Sequence, residues 1–158
     1  MKNKECILLI HDIRSVYNVG AIFRTADAVG VTKIILSGYS PTPLDRFGRE
    51  RIDFTKCALG AEKNIPWEYI ETPYEKIQTL KQEGFHVIGL EQDERSVDYK
   101  KNIESEKIVI ILGTETTGMA QELLELCDTI MEIPMQGIKE SLNVSVATGI
   151  LLYRILDK

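Results

Sequence analysis

Residues 11–26 include side chains suited to binding an anion. Asn18 and Gly20 open a predicted helix, and Arg24 follows one turn later. Free N–H groups at a helix start and a guanidinium point into one region, which favours a phosphate. The alternative is structural, with Asn18 as the N-cap of the helix and Arg24 paired with Asp27 three positions on. The segment by itself leaves both open.

A second segment, 111–119, includes the end of the most apolar run and has the sequence Ile-Leu-Gly-Thr-Glu-Thr-Thr-Gly-Met. Gly113 allows a ligand to approach the backbone, and Gly118 permits a turn into the next helix. The lysine of a phosphate-binding loop is absent and Gly-x-Gly-x-x-Gly is not matched, which disfavours ATP and NAD. Glu115 is either a solvated carboxylate or a group that orients a substrate or a neighbouring cation.

A third segment, 133–146, runs from a strand end at Pro134 through Gly137 to a predicted helix start at Ser141-Leu-Asn. Backbone donors and acceptors around an apolar slot suit adenine and a thioether. Helix capping is the alternative function of these polar side chains. It suits Ser141 as the N-cap better than Asn143, which is expected inside the helix, where asparagine is unfavourable.

The densest basic segment of the chain, 44–52, places Arg46, Arg49 and Arg51 around Phe47. Guanidinium groups bind RNA phosphates, and a phenyl ring can stack on a base. The alternative is a solvated loop neutralised by nearby carboxylates. Charge is also polarised along the chain: the net charge of −5 divides into +3 for residues 1–60 and −8 for residues 61–158.

Short β-branched runs alternate with helical patterns, which predicts an α/β fold with a parallel sheet. The expected strands are 5–10, 33–36, 67–70, 86–90, 107–112 and 129–133, and the expected helices are 19–29, 54–61, 74–83, 119–126 and 142–156. Ligands of open α/β sheets bind beyond the carboxyl ends of the strands, which is where the three segments above lie.

Composition is that of a globular protein, with 44% hydrophobic and 27% charged residues, and 158 residues suit one domain. Three scattered cysteines and two distant histidines indicate neither a disulfide framework, a metal site nor a histidine-based triad. No run approaches the roughly 20 apolar residues of a membrane span, and the first residues show no signal peptide. We expect a cytoplasmic protein without metal or membrane attachment.

Three motifs in this order span nearly the whole chain. They are Asn-x-Gly-x-x-x-Arg-Thr-Ala from Asn18, Gly-x-Glu-x-x-Gly from Gly113, and Ile-Pro-Met from Ile133 followed by Ser-Leu-Asn-Val-Ser-Val-Ala. Together they resemble the signature motifs of the SpoU/TrmH methyltransferases of the SPOUT superfamily. The resemblance implies an S-adenosyl-L-methionine-dependent RNA methyltransferase that acts on a ribose 2′-hydroxyl.

The resemblance also assigns site residues. The cofactor is expected at Gly113, Ile133 and Leu142, with Leu112, Met135 and Ser141 as neighbours. Arg24 matches the family's catalytic arginine, and Asn18, Glu115 and Asn143 are expected to position it, the ribose and the cofactor loop. We interpret Arg24 as holding an RNA phosphate and stabilising developing negative charge, because a guanidinium hardly ever loses its proton in proteins.

The resemblance further implies a parallel SPOUT sheet with a deep C-terminal trefoil knot within residues 112–146. It also implies a homodimer in which Arg24 of one subunit lies near the cofactor of the other. Thr116 departs from the glycine that many relatives have, and no RNA-binding extension is seen, so the dimer or a partner would grip the RNA. We expect tRNA ahead of rRNA. The rival hypotheses are a catalytically silent RNA-binding module and an α/β enzyme for a small nucleotide.

Overall fold

The computed structural model describes residues 3–114 and 116–158, and within these residues the fold is a seven-stranded sheet with every pairing parallel. The strand order is β3-β2-β1-β6-β4-β7-β5. The strands are β1 Glu5–His11, β2 Lys33–Ser37, β3 Trp67–Ile70, β4 His86–Leu90, β5 Val97–Asp98, β6 Lys107–Leu112 and β7 Thr129–Glu132. The six predicted strands are confirmed. The sequence missed β5 because two residues are too few to show a periodic pattern.

The central strands are apolar along their length because helices cover both faces of the sheet. Cys6 to Ile10 in β1 and Ile108 to Leu112 in β6 are buried throughout. Successive side chains alternate between the two faces, so Leu8 packs in the core layer that contains Phe23, while Leu9 packs in the layer that contains Ile77.

The helices are α1 Val16–Val29, α2 Ile52–Ala58, α3 Ala61–Asn64, α4 Tyr74–Gln82, α5 Gln121–Leu126 and α6 Val144–Ile155. The single helix predicted at 54–61 is in fact two. Leu59 and Gly60 both adopt positive φ, 52° and 92°, which ends α2 and reorients the chain before α3. Gly20 permits close packing of α1 on α2, because a Cβ there would collide with Cys57.

Two predicted helix starts are wrong. Ser15, not Asn18, caps α1, since its side chain accepts a hydrogen bond from the Asn18 backbone N–H. The cap of α6 is Asn143 and not Ser141, because Leu142 is not yet helical. Relative to the predicted starts, α1 begins three residues earlier and α6 begins two residues later.

All parallel strands end at the same edge of the sheet, so the loops after β1, β6, β4 and β7 converge there. Asn18 lies in the first turn of the helix that follows the first of these loops, whereas Gly113 lies in the second loop and Ile133 in the last. In the described part of the chain, no helix has the length and apolar character needed to cross a membrane. Nor do the described residues include a His, Cys, Asp or Glu group able to hold a metal ion.

Candidate active site

A pocket of about 370 Å³ lies at the carboxyl edge of β6, β4 and β7. Four separate parts of the chain form its walls: the first turn of α1, the residues after β4, the residues after β6, and the segment from β7 into α6. The described lining residues are Asn18, Leu90, Glu91, Gln92, Gly113, Thr114, Glu132, Ile133, Met135, Ser141, Leu142, Asn143, Val144 and Ala147.

Most residues assigned to the site from the sequence meet in this pocket. Gly113, Ile133, Met135, Ser141 and Leu142 all line it. The predicted neighbour at position 112, the last residue of β6, is buried and is not among the lining residues. Five of the six residues assigned to the cofactor therefore border one cavity.

Asn143 joins the first and third segments directly. Its Nδ2 donates a hydrogen bond of 3.1 Å to Oδ1 of Asn18, across 125 positions of sequence. Its Oδ1 accepts from the backbone N–H of Ser145 at 2.8 Å and that of Val146 at 3.4 Å. One amide therefore caps α6 and ties α6 to α1 at the pocket wall.

The loop after β6 is held by a carboxylate from the loop after β4. Oε2 of Glu91 accepts a hydrogen bond of 2.8 Å from the backbone N–H of Met119. Gly113 packs against this loop, since a Cβ there would lie 3.1 Å from Met119 Cα, and Gly118 turns the chain with a φ of 73°. Glu115, predicted to be catalytic, lies outside the described residues.

The charge of the pocket is negative. Glu91 and Glu132 line it, and among its described lining residues there is no arginine, lysine or histidine. Such a pocket favours a ligand that carries positive charge over a phosphate. The sequence analysis missed Leu90, Glu91 and Gln92, although the rule that ligands bind beyond strand ends applies to β4 as well.

Arg24 lies outside this pocket. It is exposed on α1, six residues after Asn18 and thus about 120° around the helix from it. The described residues show no ion pair between Arg24 and Asp27, so the structural alternative for this arginine finds no support. Arg24 instead projects from the helix that carries the wall residue Asn18.

The predicted basic segment lines a separate open cleft. Arg46, Arg49 and Arg51 border it together with Phe47. The alternative in which nearby carboxylates neutralise these arginines is confirmed for two of them. Arg49 Nε lies 3.0 Å from Asp45 Oδ2, and Arg51 Nη2 lies 2.7 Å from Asp53 Oδ2. Backbone N–H donation from Arg49 lowers the pKa of Asp45, and hydrogen bonding from Arg51 lowers that of Asp53.

His11 ends β1 beside the site with both ring nitrogens engaged. Nδ1 lies 2.9 Å from Ser37 Oγ, and Nε2 lies 3.1 Å from Asp12 Oδ2. Burial lowers the pKa of His11 below its ordinary value, and the Asp12 carboxylate only partly opposes this. Burial likewise raises the pKa of the Cys6 thiol to about 12, in line with its interpretation as an apolar core residue.

A parallel α/β sheet with a ligand pocket at the carboxyl edge of its central strands defines an α/β ligand-binding domain. The model of the SpoU rRNA Methylase family matches residues 5–153. The chain therefore belongs to this family.

Curated relatives include enzymes for two kinds of RNA. The chain is 32% identical, over 96% of its length and 69% of the relative's, to a tRNA (guanosine(18)-2′-O)-methyltransferase of Aquifex aeolicus. It is 33% identical, over 93% of its length and 56% of the relative's, to a 23S rRNA (guanosine-2′-O-)-methyltransferase of Ralstonia nicotianae. The chain spans between 56% and 69% of the length of such relatives.

A solved structure of an AdoMet-bound rRNA methyltransferase from Sinorhizobium meliloti has the same architecture. The TM-score is 0.85 at 29% sequence identity, with 96% of this chain and 56% of that chain covered.

Proposed function

We propose that this protein is an S-adenosyl-L-methionine-dependent RNA methyltransferase that modifies a ribose 2′-hydroxyl. The observation that carries the proposal is the convergence of Asn18, Gly113, Ile133 and Leu142 on one pocket. These residues come from three motifs, of which the first and the last lie more than 100 positions apart in the sequence. Relatives named for 2′-O-methylation of tRNA and of 23S rRNA support the same reaction.

The pocket suits this cofactor chemically. S-adenosylmethionine has a cationic sulfonium and an ammonium group, which two carboxylates, Glu91 and Glu132, would attract. Leu90, Ile133 and Leu142 supply apolar surface for adenine and for the methylene groups beside the sulfonium. When bound, the cofactor supplies the electrophilic methyl group. Asn143 would hold the loop that contacts it, as Asn143 also fixes the start of α6.

Arg24 is proposed to act on the RNA. A guanidinium keeps its proton in proteins, so its role is to bind a phosphate and stabilise the negative charge that develops on the attacking oxygen. The proton would pass to a phosphate or to water. Asn18 and Glu115 would position Arg24 and the ribose.

A second copy of the chain would bring Arg24 to the site. The described lining residues offer no cation, and Arg24 is exposed on α1 and is not among the residues that line the pocket of its own chain. On the outer side of α1 and α6, a shallow apolar surface is lined by Ala21, Thr25, Ser145, Val146, Gly149, Ile150 and Tyr153. Val146 is 50% exposed and Tyr153 is 44% exposed. Burying this surface against itself would stabilise a homodimer and place the two α1 helices side by side.

The family to which the chain belongs also supports proposals about the knot and about the RNA substrate. We propose that a trefoil knot lies within residues 112–146, a proposal that is supported by the family to which the chain belongs. We propose tRNA ahead of rRNA as substrate, with Arg46, Arg49 and Arg51 contacting its phosphates. The cytoplasmic location stays a prediction.

The decisive experiment separates an enzyme from a silent RNA-binding module. Calorimetry of the purified protein with S-adenosylmethionine measures binding, and nucleoside mass spectrometry of tRNA and rRNA from cells with and without the protein measures the product. We expect saturable binding and the loss of one 2′-O-methylated nucleoside from tRNA in the cells that lack the protein. Absence of cofactor binding would favour the silent module, and loss of a base-methylated nucleoside instead would contradict ribose chemistry.

A further inference from the structure

The open cleft beside the pocket is lined by an unusual number of aromatic rings. Tyr39, Phe47, Trp67 and Tyr69 all border it. Tyr39 is 50% exposed, Phe47 66% and Tyr69 46%. Exposed rings that share one concave surface, unlike rings scattered singly, mark a site where a flat apolar ligand binds.

Hydrogen bonds fix the orientation of both tyrosines. The Tyr69 hydroxyl donates to the Gly38 carbonyl at 2.7 Å, and the Tyr39 hydroxyl donates to Thr114 Oγ1 at 3.5 Å. The backbone N–H of Tyr39 also donates to Asp12 Oδ1 at 3.0 Å. The Tyr69 ring and the Tyr39 backbone are therefore held in place before any ligand binds, which reduces the entropy lost on binding.

Guanidinium groups accompany these rings. Arg46 Cζ and Arg49 Cζ lie 4.8 and 5.0 Å from the centroid of Phe47, and Arg14 Cζ lies 5.0 Å from that of Tyr39. Arg49 is paired with Asp45, whereas Arg14 and Arg46 have no ion pair within residues 3–114 and 116–158. Two cations beside aromatic surface match the charge and shape of a nucleotide, which has a flat base and an anionic phosphate.

The cleft begins where the cofactor pocket ends. Thr114 lines the pocket, and its hydroxyl accepts the hydrogen bond from Tyr39, which lines the cleft. Whatever occupies the cleft would therefore be a neighbour of whatever reacts in the pocket.

We propose that this cleft is a stacking site for one unpaired base of single-stranded RNA that flanks the methyl-acceptor nucleotide. The inference rests on the proposed function for its RNA substrate, and it adds that the target lies in a loop or single strand and not within a duplex. A base in a duplex is already stacked on its neighbours and cannot enter such a cleft.

Trp67 provides a direct probe, because it is the only tryptophan of the chain and lines the cleft. The full-length protein is titrated with hexaadenylate, with an abasic ribose-phosphate hexamer of equal charge, and with a blunt RNA duplex. We expect hexaadenylate to change the Trp67 fluorescence and to bind about 10-fold more tightly than the abasic hexamer, since stacking contributes roughly 1–3 kcal/mol per base. The duplex should leave the fluorescence unchanged.

Phe47 tests the stacking contact by substitution. Phe47→Ala should abolish the preference for hexaadenylate over the abasic hexamer, while Phe47→Tyr should preserve it, because a phenol stacks as a phenyl does. Ile52→Ala is the matched control: Ile52 is 72% exposed nearby and does not line the cleft. This control should bind both hexamers as the unmodified protein does.

Equal affinity for the two hexamers, or a Phe47→Ala variant that keeps the preference, would overturn the inference. Tighter binding of the duplex than of hexaadenylate would also overturn it. Calorimetry with S-adenosylmethionine tests the proposed function separately. Cofactor binding without base preference contradicts the stacking site alone, whereas base preference without cofactor binding contradicts the enzyme alone.

Discussion

Asn143 and Asn18 form a hydrogen bond of 3.1 Å that connects the two ends of the chain at the pocket wall. Asn18 is 8% exposed in the first turn of α1, and Asn143 is the N-cap of α6. A single amide thus uses its oxygen to begin one helix and its nitrogen to fix the position of another. The relative placement of the first and third motifs depends on this contact.

Substitution of Asn143 should separate its two roles. Asn143→Ala loses both, so we expect the free energy of unfolding to fall by about 2 kcal/mol, from roughly 1 for the cap and 1 for the hydrogen bond. Asn143→Asp keeps the capping oxygen and should lose only about 1 kcal/mol. Urea denaturation measures both. Ser141→Ala is the control and should be neutral, because Ser141 is not the cap; a large effect there would contradict the assignment.

Mixing two inactive variants tests whether the Arg24 that acts at each site comes from the same chain as the pocket or from the other chain. Arg24→Ala lacks the proposed catalytic group, and Leu142→Lys places a positive charge at the pocket, where Leu142 is 37% exposed. In a 1:1 mixture that exchanges subunits, about a quarter of the sites would combine an intact pocket with an intact Arg24 from the other chain. Single-turnover methylation should recover to that level. No recovery despite demonstrated exchange would mean that Arg24 acts within its own chain.

Replacing Arg24 by lysine tests whether the planar guanidinium group is required. A planar guanidinium binds a phosphate through two parallel hydrogen bonds, which an ammonium cannot reproduce. We expect Arg24→Lys to lose at least about 100-fold in single-turnover rate, consistent with the loss of a charge-stabilising group. Affinity for S-adenosylmethionine should not change. A wild-type rate in Arg24→Lys or Arg24→Ala would eliminate the proposed role.

The apolar face of α1 and α6 should govern the oligomeric state. Ile150→Glu introduces a charge into the surface lined by Val146, Ile150 and Tyr153, and we expect a monomer by light scattering after gel filtration. Ile52→Glu is the control on an exposed isoleucine outside that face, 72% exposed against 36% for Ile150, and should remain a dimer. If the unmodified protein is itself a monomer at micromolar concentration, the dimer proposal fails.

Stability should fall in mild acid because of His11. Burial holds its folded-state pKa below the unfolded value of 6.5, so the unfolded chain binds the proton more readily. The stabilisation due to neutral His11 is therefore complete above pH 6.5 and is lost as the pH falls from 6.5 towards the folded pKa. His11→Gln should flatten the dependence of the urea midpoint between pH 7 and 5. An unchanged slope would assign the effect to other groups.

Local sequence patterns predict much of this architecture. The predicted strands are confirmed because the central strands are apolar on both faces, as in Ile108 to Leu112. The sheet rule pointed to the loops after the strands, and the resemblance of their motifs to a known family assigned Gly113, Ile133 and Leu142 within them. These residues do line one pocket, because parallel strands end at a common edge where the following loops meet.

Only the tertiary structure decided how these loops meet. The hydrogen bond from Asn143 to Asn18 and the one that Glu91 accepts from Met119 join residues far apart in sequence, so no local periodicity predicts them. The break between α2 and α3 depends on a positive φ at Leu59. Leucine rarely adopts this conformation, so the sequence does not predict the break. The sequence determined which segments carry the chemistry, and packing determined which atoms of those segments face one another.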